Sequence, residues 1–134
     1  MNILLKWHKM NEENAHWCRV LYSYIDAADK DILYIGKADR SSVRQRMYGK
    51  HKREIFEHFT KNQIKKHDVI VGDFHMEEGK RLSKELIDDV ESLLIKRLKP
   101  IGNIQCLSSR IERPGLKVLC VGRWPHKRDL FHDR

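Results

Sequence analysis

With 134 residues, 40% of them hydrophobic, the chain has enough material for one domain around a single modest core. Its 27 lysines and arginines outnumber 19 acids, giving a formal net charge of +8 and a pI near 9.5, so a polyanion is the natural partner. No apolar run approaches the ~20 residues of a membrane span, and Ile3-Leu4-Leu5 is too short for a signal-peptide core, which points to a soluble cytoplasmic protein without a membrane partner. The three cysteines, Cys18, Cys106 and Cys120, form no CxxC pair and suit a reducing compartment. His16 and Cys18 match no zinc-ligand spacing.

Residues 18–25 are rich in aromatic and β-branched side chains, Val20, Tyr22, Tyr24 and Ile25, and read as a strand. The polar stretch 26–31 breaks the pattern and residues 32–35 resume it, which predicts a β-hairpin carrying Tyr22 on one strand and Tyr34-Ile35-Gly36-Lys37 on the other. Ser42, three residues before Gln45, opens a helix with a capping box. On it Arg44 and Tyr48 share one face, and Val43 and Met47 a neighbouring apolar one.

Positive charge concentrates around this helix. Residues 37–66 hold ten lysines and arginines against three acids, a net of +7. A run of like charge is more often a solvated face than a binding site. Here it borders the tyrosines, which favours nucleic-acid contact through Arg40, Arg46, Lys50, Lys52, Arg53, Lys61, Lys65 and Lys66. Gly36 would let backbone and nucleic acid approach where a side chain would intrude.

Residues 67–76 read as a third strand beside the hairpin. From 79 to 99 the apolar residues Leu82, Leu86, Val90, Leu93, Leu94 and Leu98 recur at steps of three and four, an amphipathic helix stopped by Pro100. Glu91 lies on the border of that stripe, an unusual place for an acid, whereas Glu85, Asp88 and Asp89 read as surface charge. Asn103 follows in the loop Pro100-Ile101-Gly102-Asn103. Residues 104–111 and 116–121, flanking Arg113-Pro114-Gly115, predict a hairpin with a type II turn. This tail carries Arg110, Arg113, Lys117, Arg123, Lys127 and Arg128 and suits either a DNA grip or a subunit interface. Trp7, Trp17 and Trp124 are read as core-edge residues in preference to base-stacking ones.

Together these residues resemble the GIY-YIG nuclease family. Its first motif corresponds to Val20-Leu21-Tyr22 and its second to Tyr34-Ile35-Gly36; its helix arginine matches Arg44, its metal-binding glutamate Glu91 and its late asparagine Asn103. Lys37 and Tyr48 fit the UvrC-type subgroup, and the resemblance spans residues 17–105. The one departure is Val20, where the family has glycine. The implied fold is α+β: a small mixed three-stranded sheet flanked by helices, with a C-terminal β-hairpin extension. Residues 1–134 would form one domain, with 17–105 the nuclease core and 106–134 a basic extension.

The resemblance implies a metal-dependent DNA endonuclease. Glu91 would hold one Mg²⁺ or Mn²⁺, and a single carboxylate with retained waters suits Mg²⁺. Tyr22 or Tyr34 would be the general base, its pKa drawn down by Lys37. Arg44 would bind the scissile phosphate, Tyr48 would donate a hydrogen bond to it, and Asn103 would orient its loop. The implied partner is duplex DNA. Restriction-type cutting of both strands implies a homodimer or tetramer, and nicking fits a monomer. The competing reading is an inactive nucleic-acid-binding module of the same fold, for which Val20 is the hint.

Overall fold

Period-two burial sets the first element. In Asn2–Lys9 (β1), Ile3, Leu5 and Trp7 are buried while Asn2 and Lys6 are exposed, as a strand with one face on a core requires. The computed structural model describes residues 1–48, 51–103 and 115–133 of the chain. After β1 and a single 3₁₀ turn, Asn14–His16, come β2 (Val20–Asp26), β3 (Ile32–Ala38), α1 (Val43–Met47), α2 (His51–Lys61), β4 (His67–Met76), α3 (Lys84–Leu98), β5 (Lys117–Gly122) and β6 (Leu130–His132). The six strands among the described residues join one mixed sheet in the order β3-β2-β4-β1-β5-β6.

The architecture is α+β, but the expected three-stranded sheet is only the β3-β2-β4 half of a larger one. The hairpin β2–β3 forms and β4 lies beside it as expected, but both pairings are antiparallel, so these three strands are not the mixed sheet expected. The ladder then continues, because β1 pairs antiparallel with β4 and parallel with β5. Nor does the expected C-terminal hairpin stand apart as an extension. Residues 104–111 lie outside the described residues, and β5, close to the predicted 116–121, is sandwiched between β1 and β6 within the same sheet. Gly115 takes the positive φ of 77° that the predicted turn demands, while Arg113 and Pro114 are outside the described residues.

Helix α3 starts later than the periodicity suggested. Ser83 is its N-cap, its hydroxyl accepting from the Leu86 amide at 3.1 Å, and Gly79 at φ 79° belongs to the turn before it. Lys99 in the left-handed region and Pro100 end it. Leu86, Ile87, Val90, Leu93 and Leu94 pack on one face of the sheet against Leu5, Trp7, Ile35, Ile70, Val118 and Phe131. Asp89, expected at the surface, is buried within this helix. Trp7 is buried with its ring 5.2 Å from Trp124, and Trp17 is half-buried edge-on to His8, so both Trp7 and Trp17 pack against neighbouring rings. The other face carries Val20, Tyr22, Tyr24, Leu33 and Tyr34, covered by Val43 of α1 and Ile55 and Phe59 of α2. Among the described residues no helix is long and apolar enough to cross a membrane.

Candidate functional site

Strand register assembles the tyrosines. Tyr22 lies opposite Gly36, and Tyr24 opposite Tyr34, so the three rings share the α1/α2 side of the sheet with centroids 5.5 to 6.0 Å apart. Gly36 makes this possible. A Cβ there would sit 2.6 Å from Cζ of Tyr22 and 2.8 Å from Cε1 of Tyr34. The space expected to admit nucleic acid is therefore occupied by the tyrosine rings themselves. Val20, at the family's glycine position, is buried in the same cluster and faces Ala38 across the hairpin.

Helix α1 opens as predicted, with Ser42 and Gln45 forming a reciprocal capping box. Val43 anchors it inward. Arg46, one turn on at i+3, follows Val43 toward the tyrosines, whereas Arg44 is rotated by about 100° and is exposed. Tyr48, at the C-cap, is 79% exposed. The expected Arg44–Tyr48 pair thus lies on the solvent side, and the arginine whose charge acts on Tyr22, Tyr24 and Tyr34 is Arg46. Its Nε is buried without a hydrogen-bond partner among the described residues. The spacing Val43-x-x-Arg46 was the sequence signal for this orientation.

Helix α2 brings the least expected group. Lys52, read as a surface cation, is 1% exposed. It occupies the apolar stripe of the helix, at i−3, i−4 and i−7 from Ile55, Phe56 and Phe59. Its Nζ lies 3.9 Å from the ring centroid of Tyr34 and 4.8 Å from that of Tyr22. Arg40, Arg53, Lys61, Lys65 and Lys66 are exposed, as a nucleic-acid surface requires, and Lys50 lies outside the described residues.

The acid comes from the opposite side of β3. By strand alternation Ile35 and Lys37 point toward α3, and the Lys37 ammonium donates to Asp88 of that helix. Burial alone would lower the Lys37 pKa, but Asp88, Glu91 and Asp39 carry it above the ordinary value. The neighbouring Glu91 is half-buried; desolvation pushes its carboxyl up to about 7 against the pull of Lys37, with Asp88 adding to the rise and Arg46 and Lys52 opposing it. Burial also raises the pKa of all three tyrosines, and Lys37 does not counter it. The expected phenolate stabilised by Lys37 is not what the geometry provides, because Lys37 leans away from the phenols onto Asp88.

Asn103 serves the same strand from outside. Since β3 is the sheet edge, Ile35 has a free backbone N–H and C=O, and the Asn103 amide meets both: Oδ1 accepts from the Ile35 amide at 2.9 Å and Nδ2 donates to its carbonyl at 2.8 Å. Gly102 donates to the Leu33 carbonyl at 2.7 Å. This loop acts as a short substitute strand and fixes the edge that bears Tyr34 and Lys37.

Two openings border the cluster. Lys37, Asp39, Arg40, Ser41, Arg46 and Lys84 line a cleft of about 320 Å³, with four cations to one acid. A wider groove of about 660 Å³ runs along α2 past Met47, Tyr48, Lys52, Arg53, Phe56, Glu57 and Thr60. Among the described residues no three His, Cys, Asp or Glu side chains converge as a metal cage. Glu91 nevertheless fits a site with one protein ligand, since a divalent cation would offset the cost that burial places on its charge. Compared with known proteins, the chain matches no family model, no curated protein and no solved structure.

Proposed function

We propose that the chain is a GIY-YIG-type endonuclease that hydrolyses phosphodiester bonds of duplex DNA with Mg²⁺ or Mn²⁺. One observation carries the reading: two tyrosines, an inward arginine and a half-buried carboxyl meet across edge strand β3, beside a cleft lined by Lys37, Arg40, Arg46 and Lys84. Phosphodiester hydrolysis needs positive charge and hydrogen-bond donors where negative charge develops on the phosphoryl oxygens. Arg46 would supply the charge, in place of the exposed Arg44.

Tyr22 and Tyr34, held neutral by burial, would donate to a phosphoryl oxygen or orient the attacking water. Glu91 would hold the cation, whose chemistry when bound is charge neutralisation at the phosphate and activation of water. Lys37 and Asp88, tied to each other, would keep β3 and α3 in register, and Asn103 would do the same for the outer edge. The exposed cations Arg53, Lys61, Lys65 and Lys66 would track the backbone of the duplex. The rival is an inactive binding module of the same fold, for which Val20 in place of the family's glycine is the hint.

The test is conversion of supercoiled plasmid with and without Mg²⁺, by wild type and by Glu91→Ala. The reading predicts nicked or linear product from wild type with metal only, and less than about a tenth of that rate from the variant at similar DNA affinity. DNA binding without any conversion would favour the binding module.

A further inference from the structure

Lys52 stands where an apolar residue belongs. Its α2 neighbours on the same stripe, Ile55 and Phe59, are core residues, and its amino nitrogen is buried without a hydrogen-bond partner among the described residues. Leucine or methionine would fill the position without desolvating an amine, so packing does not account for the nitrogen. The groups around it come from four elements: the rings of Tyr22 and Tyr24 on β2, that of Tyr34 on β3, Arg46 on α1 and Glu91 on α3.

We infer that Lys52 is a positioning residue, its amino group wedged against the rings of Tyr34 and Tyr22, which takes up a proton when a phosphodiester anion docks beside Arg46. Burial first, and Arg46 second, push its pKa down to about 7, with Glu91 opposing. The free protein therefore carries this amine close to the point of charging at neutral pH. An arriving anion brings negative charge, which favours the ammonium form. The ammonium is held by the ring faces at 3.9 and 4.8 Å, and it places positive charge behind both phenols as they donate to the phosphate. Affinity for the anion and protonation of Lys52 are then linked, each favouring the other.

The inference rests on the proposed phosphodiester site, and its test does not require cleavage. Wild type and Lys52→Met are titrated calorimetrically with a short DNA duplex at pH 8, without divalent metal, in two buffers of different ionisation enthalpy. Wild type is expected to take up more protons than the variant, by roughly half a proton or more per site. In isotopically labelled wild type, the side-chain resonances of Lys52 should titrate at a higher pH when the duplex is bound, a readout that does not depend on how the variant folds. Equal proton uptake by the two proteins, an unmoved Lys52 titration, or failure of wild type to bind the duplex would each overturn the inference. A protein that shows the uptake but converts no plasmid with Mg²⁺ would keep the Lys52 assignment and lose the nuclease one.

Discussion

The two faces of the β2–β3 hairpin are packed on opposite principles. Toward α3 lies an aliphatic layer of Leu86, Val90, Leu93 and Leu94 against Leu21 and Ile35, made of groups that gain by leaving water. Toward α1 and α2 lies a layer of comparable burial that holds the Tyr24 hydroxyl, the Arg46 Nε and the Lys52 Nζ, all buried without hydrogen-bond partners among the described residues. Each such group costs stability, typically ~1–3 kcal/mol when unsatisfied. A face that retains several is organised for something other than stability, and the opposite face supplies the surplus that makes this tolerable.

That contrast can be broken first by truncation on each side. Leu94→Ala, at a fully buried position, is expected to cost ~2–5 kcal/mol. Tyr24→Phe removes a buried hydroxyl that leaves no partner behind, and should change stability by less than ~1 kcal/mol or raise it slightly. Denaturant unfolding of the two variants checks both. A Tyr24→Phe loss as large as that of Leu94→Ala would show that the tyrosine face is built for stability after all.

A smaller, pH-dependent effect sharpens the same point at Lys52. Its folded pKa of about 7 lies below the ordinary 10.5, so between those values the unfolded chain binds more protons and stability rises with pH. The cost of burying the amine is fully present below about 7 and disappears as pH approaches 10.5. Lys52→Met should therefore melt above wild type at pH 7, and the gap should narrow steadily toward pH 10. Thermal melts of both proteins across that range measure the gap directly, and a constant or widening gap contradicts the sign. Titration of the tyrosines and Cys120 is common to both proteins and cancels in the difference.

Local signals carried much of the fold. The β2–β3 hairpin, the Ser42 cap, β4 and the stripe of α3 were all legible, because each is fixed by residues adjacent in sequence. The second half of the sheet was not. β1 presents a run, Ile3-Leu4-Leu5, whose alternation emerges only over eight residues, and its parallel pairing with β5 joins segments more than a hundred residues apart. In the site, Tyr22, Tyr34 and Glu91 could be found from motif spacing and stripe position. Arg44 and Lys52 were misplaced for one reason. Motif spacing and charge do not report which way a helix faces, whereas Val43 and the Ile55–Phe59 pair set the buried face of each helix. Asn103 was seen, but the edge it seals cannot be known until the strand order is.

If the proposed activity follows the inward groups of the tyrosine face, the two arginines of α1 separate that orientation from motif position alone. Single-turnover cleavage of supercoiled plasmid at saturating DNA, with Mg²⁺, should be compared for Arg46→Ala and Arg44→Ala. A loss of roughly 10² or more is expected for Arg46→Ala, the size seen when one preorganised charge-stabilising group is removed, and only a few-fold change for the exposed Arg44. The reverse order, with Arg44→Ala crippled and Arg46→Ala active, would contradict it.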